Sequence, residues 1–248
     1  MKRLALIAAL AGCGKAEDKA AVPSATPPTD TIALPLGTGD PVGTATTYLR
    51  FTGGALVEID RGSIFGDRGK PFHGLDATGA LTSSLGGFTL AGPHAAFPMA
   101  SPTAVFVDRA TSADEFRAAS GTMLRGRCWG FAVADHGKLE LQEPEPCPPA
   151  ARTNSQVNLD VFITTEGKAA AHLSTGSSTA FATLDQLSAY LVEQKAGGFS
   201  GRKDLTLAFD DQAMIATVVE ALGRAHAAGF VAAAWVGTAS DELRALTR

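Results

Sequence analysis

Two carboxylates occupy matching places in this sequence. Asp108 ends the apolar run Ala104-Val105-Phe106-Val107, and Asp210 ends Leu205-Thr206-Leu207-Ala208-Phe209. After each come a helical pattern, a glycine and a second apolar run. The spacing is shared: Asp108 maps onto Asp210 and Phe131 onto Ala233, a shift of 210 − 108 = 233 − 131 = 102 residues. A carboxylate at a strand end that opens onto a helix has two uses. It faces a ligand, alone or as one of a pair, or it accepts hydrogen bonds from the unpaired N–H groups of the helix N-terminus. We read Asp108 and Asp210 as caps, with the ligand-facing role as the alternative. The remaining reactive side chains form no recognisable constellation. His73, His94, His136, His172 and His226 lack HExxH or any other ligand spacing, and Gly198-Phe199-Ser200-Gly201 stops one position short of a nucleophile elbow. His226 falls on the apolar face of its helix and reads as a core-edge residue, and His136, beside Gly137, reads as part of a turn. Trp129 and Trp235 lie in corresponding strands and read as core. No catalytic residue, metal or cofactor is assigned.

The elements that must position the two carboxylates follow from periodicity. Thr183-Leu184-Asp185-Gln186 and Ser112-Ala113-Asp114-Glu115 have capping-box spacing, and Leu184, Leu187 and Leu191 repeat as one helical stripe. Ile215, Val218, Val219 and Leu222 form a second stripe, closed by Gly229. Gly53-Gly54 and Glu166-Gly167 each divide two alternating runs and predict hairpins. The later half, residues 157–248, therefore reads β-β-α-β-α-β. Residues 41–142 repeat that order with a degraded first helix around Leu75, Leu81 and Leu85, and a Pro-rich linker, 143–156, joins the two. The expected fold is α/β, in the α+β sense: two tandem small modules with mixed sheets. The chain has 248 residues, 45% of them hydrophobic and 19% charged, with a net charge of −4. That is enough to bury a core, and it gives no electrostatic reason to expect a nucleic-acid partner.

The chain opens Met1-Lys2-Arg3, continues through the short apolar run Leu4 to Leu10, and reaches Leu10-Ala11-Gly12-Cys13. A basic start, an apolar stretch and small residues before a cut describe a signal peptide over 1–12. With a Cys just after the cut, the segment resembles the lipobox of bacterial lipoproteins. That resemblance implies a diacylglyceryl thioether and N-acylation (palmitate or a similar chain) on Cys13. The expected anchor is a membrane, the expected location the bacterial cell envelope facing the periplasm. Residues 13–40, rich in Ala, Pro, Ser and Thr at their start, read as a lipidated disordered tether. In an oxidising compartment the remaining pair, Cys128 and Cys147, is expected to form a disulfide.

Leu159-Asp160-Val161-Phe162-Ile163-Thr164-Thr165-Glu166-Gly167, Leu184 to Leu191, Leu205 to Asp210, and Val218 to Leu222 leading to Ala228-Gly229-Phe230 together resemble the periplasmic domain of the ExbD/TolR family. Residues 157 to 238 carry the resemblance, and the first module is similar more faintly. The family's N-terminal transmembrane helix, with its proton-relay Asp, has no counterpart here, so no residue inherits that role. The resemblance implies a periplasmic module that dimerises or binds an envelope protein or peptidoglycan. The expected function is a non-enzymatic, membrane-anchored accessory or scaffold in biopolymer transport or cell-wall attachment, with the two modules as a possible pseudo-dimer. The rival is an envelope hydrolase with its site in the irregular 62–102 segment, which carries Asp67, His73, Asp76 and His94.

Overall fold

The computed structural model describes residues 29–41, 45, 47–59, 75–84, 88–90, 102–121, 123–124, 127–144, 158–197, 204–235 and 239–248. Its later half holds β10 (Leu159–Ile163), β11 (Ala169–Leu173), β12 (Ser178–Phe181), α2 (Leu184–Ala196), β13 (Asp204–Phe209), α3 (Ile215–Ala227), β14 (Val231–Trp235) and α4 (Asp241–Ala245). The earlier half holds β1 (Thr29–Ala33), β2 (Asp40–Pro41), β3 (Thr47–Thr52), β4 (Ala55–Ile59), β5 (Ala80–Ser84), β6 (Phe88–Leu90), β7 (Thr103–Phe106), α1 (Ala113–Ser120), β8 (Trp129–Asp135) and β9 (Lys138–Gln142). Mixed sheets with few helices make this an α+β fold.

Local chemistry explains the boundaries. Ser112 Oγ accepts from the Glu115 N–H at 3.3 Å, and Thr183 Oγ1 from the Gln186 N–H at 3.3 Å, so both capping patterns start a helix. Gly229, at φ 84°, ends α3: its N–H donates to the His226 carbonyl at 2.8 Å, and the Phe230 N–H reaches back to Ala225 at 3.0 Å. This is the Schellman arrangement, which needs a left-handed residue. Gly53 and Gly54, at φ 56° and 75°, turn β3 into β4 within two residues.

The sheets repeat one topology. The five-stranded sheet runs β12-β11-β10-β13-β14, and five neighbours of the seven-stranded sheet run β6-β4-β3-β7-β8. In both, the first three strands pair antiparallel and the last three parallel. The element order differs from the sequence expectation at several places, among them β6, which pairs with β4, and β9, which pairs with β8, neither of them expected. β12 precedes α2; it is an edge strand that buries only Phe181, so it carries no alternating signal. The short α4 follows β14 and is held mainly by Leu243. Leu81, expected in a helix, lies in β5, and that strand pairs antiparallel with β1. Finally, the folded part begins by Thr29 rather than after residue 40. Ile32 and Leu34 are buried there, and Asp40–Pro41 pairs with β9.

Alternation along the strands sends side chains into separate clusters. Leu49, Val105, Phe131, Leu159, Leu207 and Val218 belong to one continuous apolar cluster that draws on both sheets and on α1, α2 and α3. Phe116 anchors it, with ring centroids 5.6 Å from Phe51, 5.9 Å from Trp129 and 5.5 Å from Phe131. The opposite, outer faces are covered differently. On the first sheet Tyr48, Ala104 and Phe106 pack with Ile32 and Leu81 of the β1–β5 ribbon and with Leu34, which follows β1; on the second, Phe162, Ala170 and Ala208 pack with Leu243 of α4.

Reciprocal main-chain hydrogen bonds join the halves at the helix starts. The Ala113 N–H donates to the Ala213 carbonyl (2.7 Å), and the Ile215 N–H to Thr111 (2.8 Å). The Asp114 N–H donates to Asp211 (3.0 Å), and the Ala216 N–H to Arg109 (3.1 Å). The shift of 102 converts each bond into its mate, since 113 + 102 = 215 and 213 − 102 = 111, while 114 + 102 = 216 and 211 − 102 = 109. Ser112 bridges Met214, its own counterpart. The contact therefore follows a pseudo-twofold axis. Ala216→Pro removes one of these donors in the first turn of α3, where no intrahelical bond uses that N–H. The expected cost is about 1 to 2 kcal/mol in urea denaturation, and an unchanged midpoint would show that the contact contributes nothing.

Candidate functional site

Both strand-end carboxylates organise the turn that leads into the symmetric contact. Asp108 Oδ1 accepts from the Ala110 N–H at 2.9 Å, and its carbonyl accepts from the Thr111 N–H at 2.9 Å. Asp210 does the same with Gln212 (3.1 Å) and Ala213 (2.9 Å). They are not helix caps as expected: the N-caps are Ser112 and Met214, each four residues on. An aspartate that bonds its own backbone two residues later folds the chain into a turn instead.

Beyond the turn the halves diverge. Asp108 Oδ2 accepts the Ala33 N–H at 3.1 Å, while the Ala33 carbonyl accepts the Arg109 N–H at 2.7 Å. Both main-chain groups of one extended residue are thus held at the strand end. At the corresponding place Asp210 lines a cleft of about 340 Å³, together with Phe162, Thr164, Thr165, Glu166, Lys168, Arg244, Thr247 and Arg248. The cleft lies at the carboxyl ends of the parallel strands β10 and β13, where open parallel sheets commonly bind ligands. Its rim is fixed by the hairpin, where the Thr164 N–H donates to Lys168 at 2.9 Å and Thr164 Oγ1 donates to Glu166 Oε2 at 3.3 Å. The Arg244 guanidinium lies 5.0 Å from the centroid of the Phe162 ring, a cation–π contact that holds it over the floor. Three cations and two carboxylates line one polar cleft. The sequence offered Asp210 as ligand-facing only as the alternative to a cap, and it gave no sign of Lys168, Arg244 or Arg248, the first of which lies far from the other two along the chain.

The other reactive residues distribute as follows. Cys13, Cys147, Asp67, His73 and His94 lie outside the described residues. Cys128 is buried and disulfide-bonded, with its partner outside the described residues. Asp76 forms an exposed turn through bonds from Thr78 and Ala80 that lower its pKa, the Thr78 hydroxyl first. His136 sits with Gly137 at the β8–β9 turn, at φ 48° and 80°. Across the β11–β12 pair His172 Nδ1 lies 2.8 Å from Ser178 Oγ, and that hydroxyl is 3.5 Å from Glu242 Oε1. Among the described residues Glu242 contacts the hydroxyl rather than the imidazole. Among the described residues no group of three His, Cys, Asp or Glu side chains is placed to hold a metal. No protein-family model, curated protein or solved structure matches the chain.

Two measurements follow. Asp108→Ala loses a bond that Asp210→Ala does not, so it should destabilise the fold by about 1 to 2 kcal/mol more in chemical denaturation; equal costs would contradict the assignment of Oδ2. His226 is part-buried, and desolvation lowers its pKa below 6.5. The native state therefore favours the neutral ring. Its contribution is complete above the unfolded value and is lost as pH falls through the folded one. Between about pH 7 and pH 5 the wild type should lose more stability than His226→Gln; parallel curves would exclude this source.

Proposed function

We propose that this protein is a non-enzymatic bacterial envelope lipoprotein, anchored to a membrane through acylated Cys13 and serving as an accessory or scaffold in ExbD/TolR-type transport or cell-wall attachment. The observation that carries the reading is the run from Met1-Lys2-Arg3 through Leu4–Leu10 to Leu10-Ala11-Gly12-Cys13. Its supports are a repeated sheet order, β12-β11-β10-β13-β14 against β6-β4-β3-β7-β8, and a symmetric contact between the halves. Two structural units facing each other across an axis suit a scaffold, because each presents its own outer surface. In the terms of the family resemblance, the halves stand where two subunits would. We assign the partner of Cys128 as Cys147, a pairing that ties the Pro-rich segment back to the first sheet. Closing so short a loop contributes about 3 kcal/mol on the chain-entropy account.

The reading is tested by expressing the chain in a bacterium fed labelled palmitate. Wild type should take up label and fractionate with membranes, and Cys13→Ala should do neither; an unlabelled wild type would overturn the anchor. Recovery of neither an envelope protein in co-purification nor peptidoglycan in co-sedimentation would remove the scaffold role.

A further inference from the structure

The pseudo-twofold axis relates a filled strand end to an open one. In the first half, Ala33 lies on the outer face of the sheet between buried Ile32 and Leu34, and its N–H and carbonyl pair with Asp108 Oδ2 and the Arg109 N–H. The counterpart groups in the second half are the Asp210 carboxylate and the Asp211 N–H. Asp210 borders the cleft, which Phe162, a residue of the same outer face, also lines, and Asp211 is the next residue in the chain. No strand from the chain's described residues enters there, because α4 covers that face in place of the β1–β5 ribbon. The first half thus displays, with the protein's own backbone, the kind of group the second half is built to receive.

We infer that the cleft between α4, the Thr164–Lys168 hairpin and Asp210 binds an extended peptide segment of a partner protein. One residue of that segment would give its N–H to Asp210 and accept from the Asp211 N–H, as Ala33 does with Asp108 and Arg109. Charge defines the rest of the ligand. Lys168 and Arg244 line the cleft beside Glu166 and Asp210, and the two carboxylates are already engaged, Glu166 by the Thr164 hydroxyl and Asp210 Oδ1 by the Gln212 N–H. A carboxylate one to three residues from the paired position meets these cations, with Arg244 held in place over Phe162. The ligand is an extended segment bearing a carboxylate, either an acidic side chain or a chain terminus. The inference rests on cleft geometry and symmetry and is independent of the anchor at Cys13.

The internal segment supplies the probe. Fluorescent pentapeptides based on Asp30-Thr31-Ile32-Ala33-Leu34 are titrated into the full chain and followed by anisotropy. The first keeps Asp with an amidated end, the second has Asn with a free terminal carboxylate, the third has Asn with an amidated end, and the fourth carries Pro in place of Ala in the better of the first two. The first or the second should bind, and which one does identifies the carboxylate's source. The uncharged third should bind at least about tenfold more weakly, and the fourth, lacking the N–H, should not bind detectably. Arg244→Gln and Lys168→Gln, each retaining the wild-type denaturation midpoint, should weaken the charged probe several-fold and leave the uncharged one unaffected. Equal binding of the third or the fourth peptide, affinity unmoved by both substitutions, or no saturation by any probe at millimolar concentration would overturn the inference.

Discussion

Four main-chain hydrogen bonds at the starts of α1 and α3 hold the halves of this chain in register. The first N–H groups of any helix lack intrahelical partners. Here Ala113 and Asp114 find theirs in carbonyls of the second half, and Ile215 and Ala216 find theirs in the first. Met214 precedes α3 without a side-chain capping bond, so the donors of that helix depend on the other half more than those of α1, which Ser112 also serves. The carbonyls are aimed by the turns at Asp108 and Asp210. A residue choice, Asp two places before a free N–H, sets a local turn; the turn presents carbonyls; the carbonyls complete the opposite helix. The shared apolar cluster and the buried Gln142, whose Nε2 donates to the Val219 carbonyl at 2.9 Å, reinforce the same contact.

The symmetry is confined to the interior. At the outer faces one sheet is covered by a two-stranded ribbon and the other by a five-residue helix. Interior positions are constrained by close packing and by backbone groups that must be satisfied. Outer coverings need only bury a few apolar side chains, so they tolerate different solutions. This places a structural difference between the halves at the outer strand ends, where one carboxylate is occupied by main chain and the other opens onto a charged cleft.

The legible part of the fold is the part written in short-range periodicity and capping. Ser112, Thr183, Gly229, Gly53-Gly54 and the stripe from Ile215 to Leu222 carry local signals that survive folding unchanged. β12 and α4 are marginal elements, each resting on a single buried apolar residue, Phe181 or Leu243, and neither has a period to read. Leu81 illustrates the reverse case: its spacing to Leu75 suits a helix, but pairing with Ile32 in a ribbon buries it, and local spacing cannot register a partner 49 residues away, since 81 − 32 = 49. The candidate site was half legible. Asp210 stood out through its echo at Asp108, whereas the cations gather from a hairpin and the last helix only after the sheet forms. The turn role of both aspartates was hidden because a cap and an aspartate turn share the same residue types.

The central claim is that the halves form one cooperative body through the symmetric contact and the shared cluster. Native-state hydrogen exchange on Leu191→Ala tests it most directly, because this fully buried leucine belongs to α2 of the second half alone. The substitution should cost about 2 to 5 kcal/mol. The account predicts that the slowest-exchanging amides of β7 and β8 lose as much protection as those of β10 and β13. Loss confined to β10 and β13, with β7 and β8 unchanged, would contradict it and make the halves independent domains.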